Sequence, residues 1–472
     1  MSQKSRTFAA GIQTIKSRSM DIKDLYRLYE QHPCITTDSR HCPEGSIFLA
    51  LKGASFDGNQ YALQALAKGC SYAIVDSEQW STEHDERLIK VDDTLQTYKL
   101  LAREHRRRFD IPVVGITGTN GKTTTKELVS AVLAECYSVM ATEGNFNNDV
   151  GVPKTLFRLS DDDDIAVVEM GASHPGDIKT LVDTVEPNCG LITNVGRAHL
   201  QGFGSFEGVC RTKGELYDYL IEHECPIFVN RDNDHLMRMI SERTSSNGQC
   251  SMINAKCPDL YFYGQSDSPD ILIRGEVMEC APFLKFCWRE QDYSTDYKSE
   301  WMEVETHLIG AYNLDNMLAA ITVGYVNNVP FEQINHALSS YVPTNNRSQL
   351  TETATNHLVV DAYNANPTSM AAAIDNFRLM AVSPKMAIIG QMGELGDVSQ
   401  EEHQRVADML RDAGFDEVWL VGEEFGRVAT SFRRFTDVEQ VKEAIVRERP
   451  SQRYILIKGS NSVRLYQLPE LL

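Results

Sequence analysis

Apolar residues in this chain fall into short blocks, separated by longer stretches in which they recur at helical spacing, and the alternation repeats from Met20 to the end. Short blocks bounded by turn residues suit buried strands, and the spaced stretches suit amphipathic helices. From Met20 to about Arg103 a helical pattern (MDIKDLYRLYEQ) leads into SIFLALKG, YALQALAKGC and SYAIVD. This predicts a small α/β domain over 20–103. A second unit, 104–342, has buried-type strands at IPVVGIT, DIAVVEM, CGLITNV and PIFVN with helical stretches between them, the pattern of a parallel, doubly wound sheet. In a third, 343–472, HLVVDAY, KMAIIGQ, EVWLVG and YILIKGS alternate with helices such as PTSMAAAIDNFRLM and EEHQRVADMLRDAG. Residues 245–306 are polar and irregular, with only a few strand-like runs, and the DDDD at 161–164 reads as a solvated turn feeding the next strand.

The stretch GITGTNGKTTTK (115–126) sits where strand IPVVGIT meets a helix carrying Leu128, Val129, Val132 and Leu133 on one face. It departs from the usual phosphate loop in one respect. Counting back from Gly121, Ile116 occupies the position of the first glycine, and Gly118 lies closer. The mechanics still favour phosphate: N–H groups at a helix N-terminus face an anion, Lys122 can reach the outer phosphates, and the Thr123 hydroxyl suits Mg²⁺.

Composition narrows the remaining choices. A chain of 472 residues exceeds one ordinary core, and at about 100–200 residues per domain three domains are expected. No apolar run approaches the roughly 18 residues of a membrane span, and no secretory signal opens the chain. The 11 cysteines contain no C-x-x-C pair, which fits reduced thiols in a cytoplasmic protein better than a disulfide framework or a zinc site. A net charge of −20 argues against nucleic acid as a partner. The first nineteen residues, with four Lys/Arg and no acid, read either as an organelle-targeting peptide or as an unstructured extension upstream of the fold.

Ligands of parallel sheets bind beyond the carboxyl ends of the strands. Glu169 ends DIAVVE and His199 follows LITNV, so both can converge with Thr123 around the cation of a nucleotide. The carboxylate is the oxygen donor Mg²⁺ prefers. Taken alone, His199 reads better as a histidine satisfied by its surroundings than as a ligand, because nitrogen is a poorer ligand for Mg²⁺.

Together GTNGKTTTKE, GNFNNDVGVP, VEMGASHPGDI, ITNVGRAHLQGFGS, TKGELYDYL, GAYNLDNMLAA, DAYNANPTSM and MGELGDVSQEEH resemble the Mur ligase family of ATP-dependent amide-bond-forming enzymes, from about Met20 to the end of the chain. The resemblance implies a UDP-sugar domain, a central P-loop ATPase domain and a C-terminal Rossmann-like domain. It also implies a cytoplasmic, monomeric enzyme of peptidoglycan synthesis that joins D-alanyl-D-alanine to UDP-MurNAc-tripeptide. The rival within the family adds a diamino acid to UDP-MurNAc-dipeptide, but the Asp-Asn-Pro-Arg type of sequence that accompanies that activity is absent. From another class, an inactive regulatory paralogue would be expected to have lost Lys122, Glu169 or Lys213, and all three are present.

By the same resemblance Gly118, Thr119, Asn120, Gly121, Lys122, Thr123 and Thr124 form the ATP phosphate loop. Thr123, Glu169, His199 and a carbamylated Lys213 would hold two Mg²⁺ ions. Asn313 matches the family asparagine at the adenine, Arg347 an arginine on the phosphates and Asp361 an acid on the ribose. Ser39 and Arg40 resemble the uridine-binding elements, with Asn59 where the family usually shows histidine. Thr142, Asn145, Asn147 and Asn148 resemble the loop facing the muramoyl-peptide. Asn364 and Asn366 offer amides suited to a dipeptide's own amide and carboxylate.

Overall fold

The structure, a computed structural model, describes residues 20–53, 55–77, 79, 85–246, 258–280, 282–292, 295, 297–343 and 349–472. The basic segment 1–19 and Arg347 therefore lie outside the described residues. The chain packs as two compact units, one of residues up to 110 with 149–160 and 183–186, the other holding the remainder.

The first unit is a four-stranded parallel sheet in the spatial order Ile35–Thr36, Ile47–Leu49, Tyr72–Val75, Leu88–Lys90. Its opening helix, Ile22–Gln31, starts where Asp21 accepts from the Asp24 N–H at 2.9 Å, a side-chain cap on one of the N–H groups left over at a helix start. The helix presents Leu25, Leu28 and Tyr29 to Tyr98 and Leu101 of the helix Thr94–Arg106, with Val150 and Phe157 completing that core. Phe157 belongs to the stretch 149–160, which follows the asparagine-rich loop in sequence but buries its apolar face here.

The second unit contains two sheets. In the larger, parallel strands run in the order Leu260–Gly264, Ile227–Asn230, Cys189–Ile192, Val113–Thr117, Ile165–Glu169, Val139–Ala141. Helix Lys122–Ala134 buries Leu128, Val129, Val132 and Leu133, the four positions its spacing predicted, in one core with Val114 and Ile116. The acidic run 161–164 forms the turn before Ile165–Glu169. The irregular region proves to be largely strand in its described part: Ile271–Cys280 pairs antiparallel with Phe283–Asp292, which pairs in turn with Met302–Ile309. Along Met302–Ile309 exposed Glu303, Glu305 and His307 alternate with buried Val304, Thr306 and Leu308, the pattern of a sheet with one face packed and one wet.

The smaller sheet has the order Gln349–Glu352, His357–Asp361, Tyr454–Lys458, Lys385–Gly390, Glu417–Val421, Arg433–Phe435, parallel except at the first pair. The last strand in sequence, Tyr454–Lys458, lies between His357–Asp361 and Lys385–Gly390, so the carboxyl ends of His357–Asp361 and Tyr454–Lys458 stand side by side. Helices such as Pro367–Leu379 and Ser399–Ala413 cover the sheet. The protein is thus α/β throughout.

Candidate active site

The strand Val113–Thr117 ends in a loop that only glycine permits. Gly118 has φ +144°, and a Cβ there would collide with the Thr193 hydroxyl; Gly121 has φ +78°, and a Cβ would come within 2.7 Å of Asn316 Oδ1. The tip is clamped from the neighbouring strand's carboxyl end. Asn194 Oδ1 accepts from the Asn120 N–H at 3.0 Å, while Asn194 Nδ2 and Thr193 Oγ1 donate to the Asn120 carbonyl at 3.0 and 2.7 Å. Lys122 Nζ curls over the loop and donates to the carbonyls of Gly118 (2.9 Å) and Thr119 (3.0 Å). Thr124 lies half-buried in the first turn of the helix that follows.

Beneath the loop, Thr123 Oγ1 donates to Glu169 Oε2 at 2.9 Å and Asn147 Nδ2 donates to Glu169 Oε1 at 2.8 Å. Glu169 is 1 % exposed, and the hydrogen-bond partners of its carboxylate among the described residues, Thr123 and Asn147, are both neutral. A carboxylate stripped of water and met only by neutral donors suits a hard cation, and the hydroxyl beside it supplies a second oxygen. The residues present therefore fit Mg²⁺. Thr142 belongs to the same cluster: its hydroxyl accepts from the Glu169 N–H at 3.0 Å, and its carbonyl accepts from buried Lys126 Nζ at 2.8 Å. Asn145 and Asn148 are exposed on the adjoining loop.

Lys213 comes to this site on the helix Phe206–Glu222, capped by Ser205 accepting from the Gly208 N–H at 3.1 Å. It is 2 % exposed, with Nζ 3.5 Å from the Ala172 carbonyl and 5.6 Å from the Phe203 ring centroid. Burial pushes its ammonium well below the usual lysine range, and the positive charge of Lys122 pushes the same way. His199 adopts a left-handed backbone (φ +51°), and its Nδ1 faces the Glu394 carboxylate. Burial lowers its pKa from the ordinary histidine value; Glu394 opposes that shift, and Lys122 and Lys213 reinforce it.

The other expected residues occupy separate places. Asn313 is buried at the start of the helix Asn313–Val326, where Nδ2 donates to the Ile309 carbonyl and Oδ1 accepts from Asn316; Asn316 in turn accepts from Thr125 Oγ1. A hydrogen-bonded chain therefore joins Asn313 to the phosphate-loop helix. At the end of its strand Asp361 is ion-paired to buried Lys458. The amide oxygen of Asn364 accepts from the Ala365 N–H at 2.8 Å, while Asn366 caps the helix Pro367–Leu379. In the first unit, exposed Arg40 forks onto Asp38, holding that carboxyl down to about 2, and the Ser39 carbonyl accepts from Lys68 Nζ at 2.7 Å. Asn59 is fully engaged: Nδ2 donates to Asp57 (2.7 Å) and Asp76 (2.9 Å), and Oδ1 accepts from the Asp76 N–H.

Sequence reasoning missed Thr193, Asn194, Asn316 and Lys458. Lys458 ends its strand as Glu169 does, and Asn194 follows two residues after Cys189–Ile192, so the rule that singled out Glu169 applies to them too.

An α/β chain with a glycine-built phosphate loop above a buried Thr–Glu pair, followed by a second parallel sheet, belongs to the nucleotide-using class of doubly wound proteins. Comparison with known proteins narrows this further. Residues 33–106 match the model described as "Mur ligase family, catalytic domain", 116–324 the "Mur ligase middle domain" and 346–461 the "Mur ligase, glutamate ligase domain". Proteins named UDP-N-acetylmuramoyl-tripeptide--D-alanyl-D-alanine ligase from Synechocystis sp. and Escherichia coli are 32 % and 31 % identical, covering 91 % and 92 % of this chain and 90 % and 92 % of their own. Among solved structures, MurF from Acinetobacter baumannii has a TM-score of 0.81 at 28 % identity, covering 94 % of this chain and 97 % of its own. MurF from Thermotoga maritima, solved in complex with ADP, has a TM-score of 0.79 at 25 % identity, covering 93 % and 97 %. The chain belongs to the Mur ligase family.

Proposed function

We propose that this protein is an ATP-dependent, ADP-forming ligase joining D-alanyl-D-alanine to UDP-N-acetylmuramoyl-tripeptide, which yields the UDP-MurNAc-pentapeptide precursor of peptidoglycan. The observation that carries the reading is the buried Thr123–Glu169 pair under the phosphate loop, in a chain related over nine-tenths of its length to ligases of that name. A carboxylate oxygen of the tripeptide attacks the γ-phosphorus of ATP, and ADP leaves. The amine of D-alanyl-D-alanine then adds to the acyl phosphate carbonyl, and phosphate departs as the amine loses its proton.

Two anions meet in the first step, so opposing charge has to be in place beforehand. Lys122 swings from the loop carbonyls to the γ-phosphate. Thr123 and Glu169 would hold one Mg²⁺, and His199 with a carbamate on Lys213 a second; bound there, Mg²⁺ would neutralise charge on the transferring phosphoryl oxygens. Burial of Lys213 away from any direct ion pair supports the carbamate reading. Gly118, Thr119, Asn120, Gly121 and Thr124 cradle the phosphates, which Arg347 also reaches. Asn313 serves the adenine and Asp361 the ribose. Ser39 and Arg40 take the uridine end of the other substrate, Thr142, Asn145, Asn147 and Asn148 its muramoyl-peptide, and Asn364 and Asn366 the dipeptide. The enzyme acts as a cytoplasmic monomer; among the described residues no helix is long and apolar enough to cross a membrane.

The deciding experiment measures ADP release with each substrate omitted in turn and identifies the product by mass. ADP release that needs both UDP-MurNAc-tripeptide and D-alanyl-D-alanine, with a pentapeptide product, is the expected result. Release that is indifferent to D-alanyl-D-alanine, or activity only with a free diamino acid, would overturn the reading.

A further inference from the structure

Among the described residues, the second parallel sheet and its helices bond to the nucleotide site at two loops: the tip of the phosphate loop, and the stretch 196–201 that carries His199. At the first, Asn366 Nδ2 donates to Asn120 Oδ1 at 2.8 Å. The Asn366 amide is not free to turn. Its Oδ1 accepts from the Ser369 N–H at 2.9 Å and its own N–H donates to Ser369 Oγ at 3.1 Å, the reciprocal cap of the helix Pro367–Leu379. The Asn120 backbone is held from the other side, its N–H by Asn194 and its carbonyl by Asn194 and Thr193. One hydrogen bond thus joins two rigid elements, the start of a helix and the crest of the phosphate loop.

At the second loop, the Arg197 N–H donates to Thr368 Oγ1 at 3.2 Å, one residue into that helix, and Arg197 Nη1 pairs with Glu402 Oε1 at 3.0 Å. The Glu402 side chain is 3 % exposed and that of Arg197 54 %. Glu402 Oε2 has no hydrogen-bond partner, and its next cation, Arg405, stands 3.9 Å away. Two residues further on, His199 meets Glu394, and the Gln201 N–H donates to the Glu394 carbonyl at 3.3 Å. His199 and Glu394 both hold left-handed backbones, φ +51° and +60°, which surroundings must impose on residues with a Cβ.

We propose that Asn366 and Glu402 are positioning residues that transmit the docking of the C-terminal domain to the nucleotide site, Asn366 through Asn120 and Glu402 through Arg197 and the loop bearing His199. The proposal rests on the ATP-dependent reading above. Neither residue need touch a reacting atom. Each sets where a loop of the central domain lies, so its loss falls on the nucleotide rather than on the UDP-sugar substrate.

The discriminating variant is Asn366→Asp. It keeps the acceptor that caps the helix, since aspartate caps as well as asparagine, but turns a carboxylate oxygen toward Asn120 Oδ1. Expected is a rise of about tenfold in KM for ATP with a fall in kcat, while KM for UDP-MurNAc-tripeptide and the melting temperature stay near wild type. Asn120→Ala removes the same bond from the opposite side, and combined with Asn366→Asp it should add little further loss. At the second contact the two partners should be unequal: Arg197→Met leaves the buried carboxylate without its cation and raises KM for ATP more than Glu402→Gln does. If the wild type ligates but Asn366→Asp raises only KM for D-alanyl-D-alanine, Asn366 serves the dipeptide alone and its positioning role toward the nucleotide is wrong. Unchanged KM for ATP across all four variants overturns it equally. A wild type that hydrolyses no ATP overturns the functional reading instead.

Discussion

Thr123 Oγ1 and Glu169 Oε2, 46 residues apart in sequence, meet at 2.9 Å because the strand Ile165–Glu169 lies beside Val113–Thr117 with Ile116 opposite Glu169. The sheet register therefore fixes this oxygen cluster under the phosphate loop. Glu169→Gln retains an acceptor for Thr123 and most of the shape while deleting the charge. It should fold normally, lose about 100-fold or more in kcat, and need far more Mg²⁺ for half-maximal rate. Steady-state kinetics across a Mg²⁺ series check this; an unchanged Mg²⁺ dependence would remove Glu169 from the cation site.

Lys122 bonds to the carbonyls of Gly118 and Thr119 across its own loop, a geometry any unbranched amine donor at that point of the helix can make. Its expected work is different: neutralising the phosphoryl group in transfer. Lys122→Ala should abolish turnover while UDP-MurNAc-tripeptide still binds to the first unit, as measured by calorimetry. Near-normal ligation by this variant would contradict the assignment.

The parts of this site that could be read from sequence lie within a few residues of each other or at strand ends. The phosphate loop, Glu169 and the helix face of Leu128, Val129, Val132 and Leu133 were legible because period and position are local properties. Asn316 was not: it reaches Thr125 from 191 residues away, through a helix whose inner positions are apolar for most of its length. Glu394 and Glu402 were invisible as partners of His199 and Arg197, since nothing local shows which carboxylate another domain will bring. The strands within 258–309 were obscured by the polar residues on their wet face. Arg347, expected at the phosphates, lies outside the described residues.

Two buried histidines predict how stability should respond to acid. His105 donates from Nε2 to the Leu159 carbonyl at 3.1 Å and accepts at Nδ1 from the Tyr26 hydroxyl at 3.0 Å. His403 has the opposite tautomer, accepting at Nε2 from the Met392 N–H at 3.0 Å and donating from Nδ1 to the Ser399 carbonyl at 2.7 Å. Burial lowers both from the ordinary value of 6.5. A histidine that binds its proton more weakly when folded favours unfolding once the unfolded chain begins to protonate. This contribution is therefore intact above pH 6.5 and declines as pH falls below it, by at most about 1.4 kcal/mol per unit per histidine. Urea unfolding at pH 7.5 and 5.5 should show the loss, and His105→Phe, which packs among the same aromatic rings, should flatten the slope. Equal slopes in the two proteins would mean that His105 binds its proton as readily in the fold as in the unfolded chain, and the predicted contribution would be wrong.

Lys213 supplies the sharpest test of the chemistry. A cationic lysine buried at 2 % exposure, within the field of Lys122, is disfavoured both by desolvation and by like charge. Addition of the neutral amine to CO₂, with loss of a proton, reverses the sign and gives two anionic oxygens on the same stem. If that carbamate is the working form, the ammonium is dispensable and the oxygens are not. Lys213→Ala should be nearly inactive. Lys213→Arg should be no better although it keeps the positive charge, and a short-chain carboxylate should partly restore the alanine variant by occupying the space with oxygens of its own. ¹³CO₂ labelling of the wild type should give a carbamate resonance that both variants lack. Full activity of Lys213→Arg, or a wild type without that resonance, would establish the role as cationic or structural.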